Sequence, residues 1–160
     1  GLDYHYNFSK PTIQKKVFHD QLDLAKSLQM PAVIHNRNSD DDLMIILKES
    51  GHFNGVVHCF SSGIKLAENL IQIGLKLSFT GMVTFVKSLS DIIEKIPIEK
   101  MMVETDSPYL APVPFRGKRC EPGYVTKVAE KIAEIKNLPT AEVADATTLN
   151  TVEFFNLPLS

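Results

Sequence analysis

Tryptophan is absent from this 160-residue chain, and cysteine occurs only twice. Cys59 and Cys120 lie far apart and neither has a CxxC partner, which excludes a disulfide framework and points to reduced thiols. Long hydrophobic runs are missing as well. No stretch is apolar for long enough to span a bilayer, and the chain opens without a charged-then-apolar leader, so the expectation is a cytoplasmic protein with no membrane partner. An excess of one charge is also lacking. The net charge of -2 excludes a broadly basic surface that grips nucleic acid by counterion release alone, so any such contact must be local. Nor is there a methionine at the start, where Gly1 stands. What remains, 44% hydrophobic and 22% charged residues, suits one globular domain over residues 1–160 with a substantial core.

Apolar periodicity alternates between short runs and helical stripes along the chain. Gly1-Leu2-Asp3-Tyr4 reads as the tail of a strand. Pro11 suits a first helical turn, and Ile13, Val17, Leu22, Ala25 and Leu28 predict an amphipathic helix over residues 11–29. Ala32-Val33-Ile34-His35 is a short buried strand ending on a histidine. A polar turn with an N-cap follows, then a helix with Leu43, Met44, Ile46 and Leu47 inward, closed by Gly51. Gly55-Val56-Val57-His58-Cys59-Phe60 repeats the strand-then-histidine pattern before a helix carrying Leu66, Ala67, Leu70 and Ile71. A third strand runs from Lys76 to Gly81, and a helix with Leu89, Ile92, Ile93 and Ile96 stops at Pro97. The run Met101-Met102-Val103-Glu104-Thr105-Asp106-Ser107-Pro108 is the last strand. A Pro- and Gly-rich loop over residues 111–123 leads to two closing helices, about 124–136 and 140–155, the second capped by Thr140. Strand–helix units of this kind predict an α/β fold with a mostly parallel sheet.

His35, His58 and Asp106 each stand at the C-terminal end of a predicted parallel strand, the end at which α/β sheets and barrels bind ligands. By alternation His35 shares a face with Val33, His58 with Val56 and Asp106 with Met102, so each crowns a column of inward apolar residues. Imidazole nitrogens with a carboxylate form a donor set for zinc, manganese or iron, and a magnesium site favours more oxygen. A histidine after a strand is also commonly a hydrogen-bonded loop residue, and that reading stays open for each taken singly. Glu104 shares a face with Asp106 and is either a support for a ligand or a structural acid paired with a cation. Arg37 shares a face with His35 and is suited to a phosphate oxygen or to a rim salt bridge. Arg116, Lys118 and Arg119, with Phe115 and Tyr109, make a local basic and aromatic patch fit for a nucleic-acid backbone and an unstacked base, or a solvated loop. His19 and His52 read as surface or satisfied histidines, and Cys59 as a small buried hydrophobe.

Six segments in order carry a resemblance: Gly1-Leu2-Asp3-Tyr4, Pro31-Ala32-Val33-Ile34-His35-Asn36-Arg37, Val57-His58-Cys59-Phe60-Ser61, Phe79-Thr80-Gly81, Val103-Glu104-Thr105-Asp106-Ser107-Pro108, and Phe115-Arg116-Gly117-Lys118-Arg119 with Glu121-Pro122. Together with the closing Ala146-Thr147-Thr148-Leu149-Asn150-Thr151 they resemble the TatD family of metal-dependent deoxyribonucleases. The resemblance implies a (β/α)8 TIM-barrel type of fold and hydrolysis of phosphodiester bonds in DNA. It also implies divalent ions, two per complete site, magnesium, manganese or zinc. By the family pattern His35 and His58 bind one metal, and Asp106 binds the other and serves in catalysis. On the strand-face and loop readings above, Glu104 is expected to support a ligand and Arg37 and Arg116 to meet the DNA substrate. Cys120 departs from the asparagine that family members carry before Glu-Pro.

Family members also carry an HxH strand and a metal-bridging glutamate that would fall before Gly1. The expectation is therefore a barrel truncated to its C-terminal part, from the end of strand 4 through strand 8 and the closing helices. An open parallel edge would need cover, from a preceding segment or by self-association with a second copy. The alternative is a catalytically silent fragment or half-barrel module that lacks those ligands.

Overall fold

The computed structural model describes residues 1–6 and 8–158. Its backbone divides into two compact units, one ending at Lys76 and the next beginning at Leu77. Each has the strand–helix alternation of an α/β fold.

The first unit contains β1 (Leu2–Asp3), α1 (Pro11–Ser27), β2 (Ala32–Ile34), β3 (Asn36–Arg37), α2 (Asp40–Ser50), β4 (Gly55–Val57) and α3 (Ile64–Gln72). The strand expected at residues 32–35 is interrupted. β2 pairs in parallel with β4, Val33 opposite Val56, whereas β3 pairs in parallel with β1, Asn36 opposite Leu2. The break falls on His35, whose carbonyl accepts the Leu2 amide at 2.8 Å. Gly1 lies so close to this backbone that a Cβ there would collide with the His35 carbonyl, which gives the glycine a steric reason.

Pro11 opens α1 at the position where its missing N–H costs nothing. The buried face of that helix differs from the expected one. Phe18 and Leu22 are buried, while Ile13, Val17 and Leu28 are more than half exposed. The inward line is Gln14, Phe18, Leu22 and Ala25, one polar residue leading a four-residue spacing, and polarity concealed it from a search for apolar periodicity. α2 buries Leu43, Ile46 and Leu47 and ends at Gly51 in the left-handed conformation (φ 60°). Ser39 occupies its N-cap position without capping it, and its hydroxyl donates to Asn36 Oδ1 at 2.7 Å.

The second unit is built on β5 (Lys76–Phe79), all but its first residue, with α4 (Ser88–Lys95), β6 (Met101–Val103), α5 (Val125–Lys136) and α6 (Thr140–Phe155). β5 and β6 pair in parallel, Ser78 opposite Met102, and the Glu104 amide extends the ladder to the Phe79 carbonyl at 3.0 Å. Both strands are shorter than expected. After β5, Thr80 accepts the Met82 amide through its side chain and turns the chain into a short 3-10 segment. At Gly81 a Cβ would strike the Leu110 carbonyl, so the backbones approach there as only glycine permits. β6 stops at Val103, and the Tyr109 amide closes a turn onto the Asp106 carbonyl at 2.7 Å. Leu77, Phe79, Ile93, Met101, Val128 and Ile132 form the centre of this unit's core, each essentially inaccessible. Asn150 of α6 is buried among them and donates to the carbonyls of Ile98 and Met101, both at 2.8 Å. That anchor satisfies one backbone acceptor before β6 and one at its first residue, and gives the closing Leu149-Asn150-Thr151 motif a structural role. The cap of α6 falls on Pro139 rather than Thr140.

Candidate metal centre

His35 and His58, separated by 23 residues, meet at the ends of β2 and β4. Their ring atoms Nδ1 and Nε2 stand 3.0 Å apart, and the rings tilt by 40°. The other nitrogen of His35, Nε2, lies 3.1 Å from Asp3 Oδ2. Three side chains thus form a line, Asp3 to His35 to His58. The alternation argument held only in part. Val56 beneath His58 and Met102 beneath Asp106 are buried, but Val33 is 57% exposed and it is Ile34 that packs inward.

Asp3 is held from several directions. Gln14 grips its backbone, accepting the Asp3 amide at 2.8 Å and donating to the Asp3 carbonyl at 2.9 Å. Its Oδ1 accepts the amides of His5 at 2.9 Å and Tyr6 at 3.4 Å, leaving Oδ2 for His35. Burial pushes this carboxyl up, but the His5 amide, the His35 ring and the Tyr6 amide outweigh it and hold it below the usual carboxylate range. One residue on, the Tyr4 hydroxyl donates to Asp42 Oδ2 at 2.7 Å. Burial first, and then Asp42, push the Tyr4 phenol up to about 12. The same hydrogen bond, aided by Lys15 at 3.3 Å and opposed by burial, lowers the Asp42 carboxyl.

A polar cleft of about 650 Å3 opens beside these residues, lined among others by Tyr4, Arg37, Ser39, Asp40 and Ser62. Asn36 and Ser62 both donate to Asp40 Oδ1, at 2.7 and 2.8 Å, and so fix the turn after His35. The Arg37 guanidinium lies over the Tyr6 ring at 5.0 Å, and Tyr6 stacks on Phe8 at 5.1 Å. Phe8 is 90% exposed.

In the second unit Glu104 and Asp106 follow β6, both half-buried. Among the described residues the Asp106 carboxylate has no hydrogen-bond or ion-pair partner. Arg116 lies 3.7 Å over the Phe85 ring and donates to the Ala111 carbonyl at 3.0 Å, so part of its donor capacity is engaged within the loop. Phe115 stacks on Tyr124 at 4.1 Å, while Tyr109, Lys118 and Arg119 are exposed.

His19 pairs with Asp23 at 3.1 Å on the surface of α1. His52 is buried, and its Nε2 has no hydrogen-bond partner among the described residues, contrary to the expected surface or satisfied histidine. Cys59 is half-buried in a turn at φ 47°, and Cys120 is the buried thiol. Asp3 and Gln14 are the residues that sequence reasoning missed. Asp3 satisfied the same rule as the others, an acid at the end of a strand, but a two-residue strand leaves almost no periodic signal.

Two imidazole nitrogens are borderline donors, and nitrogens each bound at roughly 2.0–2.1 Å to a shared ion stand about 3 Å apart, so the pair fits two positions on a divalent metal. Among the described residues no group of three or more His, Cys, Asp or Glu is disposed to hold one. The class these observations define is an α/β fold with two histidines brought together at the ends of parallel strands.

Comparison with known proteins narrows this. The family model described as TatD related DNase matches residues 1–156, and the chain belongs to the TatD family. It is 44% identical over 98% of its length to the uncharacterized metal-dependent hydrolase YabD of Bacillus subtilis and covers 63% of that protein. It is 37% identical over 100% of its length to the uncharacterized metal-dependent hydrolase YcfH of Escherichia coli and covers 62% of it. The crystal structure of YJJV, a TatD homolog from Escherichia coli, superposes with a TM-score of 0.92 at 31% identity, covering 99% of this chain and 62% of that one. The expectation that only a C-terminal portion of the fold is represented is not borne out by these matches, each of which runs over nearly all of this chain. What they do establish is that the chain spans about three fifths of the length of these relatives. No helix among the described residues is long and apolar enough to cross a membrane.

Proposed function

We propose that this chain carries metal-binding residues of a hydrolase acting on phosphodiester bonds in DNA, with His35 and His58 as ligands of one divalent ion and Asp106 as a ligand of a second. The observation that carries the reading is the approach of His35 Nδ1 to His58 Nε2 at 3.0 Å. The description of the matching family supports DNA as substrate. A bound magnesium, manganese or zinc would supply an activated water and neutralise phosphate charge.

The chain's own residues then divide the remaining work. Asp106, with its carboxylate uncommitted among the described residues, accepts a hydrogen bond or proton from water. Glu104 orients a ligand from two residues before it. Arg37 lines the cleft beside His35, where its guanidinium can meet a phosphate oxygen, and the stacked Tyr6 and Phe8 offer a face to an unstacked base. Arg116 is the weaker candidate for substrate contact, since it is already engaged with Phe85 and Ala111. The test is release of nucleotides from single-stranded DNA by the natural full-length protein with each metal in turn. His58→Ala should lose at least about 100-fold in kcat/KM, and a variant as active as the parent would sink the assignment.

A second reading is a catalytically silent module, favoured by the absence of a three-ligand group among the described residues. Mass in solution measured with metal content separates the two. A stable species that takes up no divalent ion supports the silent module, and tight stoichiometric binding supports the hydrolase.

A further inference from the structure

A neutral imidazole carries one proton, and whichever nitrogen holds it cannot bind a metal. An ionised carboxylate can only accept, so Asp3 Oδ2, 3.1 Å from His35 Nε2, places the proton on Nε2 and leaves Nδ1 as an acceptor; across the 3.0 Å contact His58 Nε2 then donates in the metal-free protein, a proton that must leave that nitrogen before an ion can be shared. The carboxylate has little freedom to turn away. Its Oδ1 accepts the His5 and Tyr6 amides, its backbone is clamped on both sides by Gln14, and the strand that carries it is docked on His35 through the Leu2 amide. We propose that Asp3 is a positioning residue that fixes the tautomer and ring orientation of His35, presenting Nδ1 rather than Nε2 as the donor toward the metal shared with His58. This rests on the reading of His35 as a ligand.

Asp3→Asn is the discriminating substitution, because it keeps the shape. The amide oxygen would stay on the His5 and Tyr6 amides, so the NH2 group faces His35 Nε2. A donor there favours the opposite tautomer, with the proton on Nδ1, on the metal side. Second-sphere changes of this kind weaken metal binding by roughly 10- to 100-fold.

The experiment has two readouts on the metal-free and zinc-titrated protein. Long-range proton–nitrogen correlation spectra of histidine-labelled protein should show His35 protonated on Nε2 in the parent and on Nδ1 in Asp3→Asn. Calorimetric titration with Zn2+ alone should show the roughly 10- to 100-fold loss in Asp3→Asn. A parent protonated on Nδ1 overturns the proposal and needs no variant to fold. Parent-like zinc affinity in a folded Asp3→Asn overturns it too. His35→Ala separates the two levels: loss of zinc there with none in Asp3→Asn removes only the positioning role, whereas parent-like zinc binding in His35→Ala removes the ligand reading beneath it.

Discussion

Around β1 and β3 of the first unit, side chains suited to chemistry contact one another: Asp3 reaches His35, His35 reaches His58, and Tyr4 reaches Asp42. Around β6 of the second unit, the comparable groups are set by framework. Asp106 stands after a strand whose approach is tied down by Asn150, and Arg116 is laid on Phe85. The contrast has a physical basis. β1 and β3 are two residues each and supply few ladder bonds, so polar side chains do much of the local ordering. β5 and β6 rest on an apolar core, and their polar neighbours inherit position from it. Polar networks in the first unit should therefore be sensitive to pH and isosteric change, and the second unit to loss of volume.

The largest expected effect tests the framework side. Phe79→Ala, which empties a fully buried site, should cost about 4 kcal/mol in denaturant unfolding. A loss under about 1 kcal/mol would break the comparison by showing that core volume does not carry the second unit. Asn150→Ala comes next at about 2 kcal/mol, since it strands the Ile98 and Met101 carbonyls.

On the polar side, Tyr4→Phe should cost about 1 kcal/mol near neutrality and change the pH profile. Asp42 is lowered, so its contribution is present above the ordinary carboxylate range and is lost as pH falls through its depressed value. Tyr4 is raised from 10.0 to about 12, so its contribution is present below pH 10.0 and is lost as pH rises through about 12. Unfolding curves across pH should show that alkaline loss in the parent and not in Tyr4→Phe. The smallest effect is Arg116→Lys, roughly 0.5–1 kcal/mol from the lost stacking on Phe85. Unchanged stability with a raised KM for DNA would instead make Arg116 a substrate contact and sharpen the comparison against the framework view.

The sequence singles out His35, His58 and Asp106 because each is a metal-type side chain after a short apolar run, and the structure brings the first two into contact. Asp3 was not, because Leu2–Asp3 is too short to show alternation. The inward face of α1 was misread for a related reason. Gln14 leads that face as a polar clamp on Asp3, and Ile13 and Val17 are apolar yet exposed.

By itself the sequence determined the order of strands and helices apart from β3, which falls where a polar turn is expected, the stops at Gly51 and Pro97, and the residue types at strand ends. These are set by neighbours along the chain, through backbone freedom, caps and apolar period. Only the tertiary structure decided that the segment from residue 32 to 37 breaks at His35 and changes partner, from β4 to β1. It also decided that Arg116 lies on a phenyl ring and that a carboxylate addresses the far nitrogen of His35. Those outcomes depend on which groups pairing brings within hydrogen-bond reach, and no local preference specifies them.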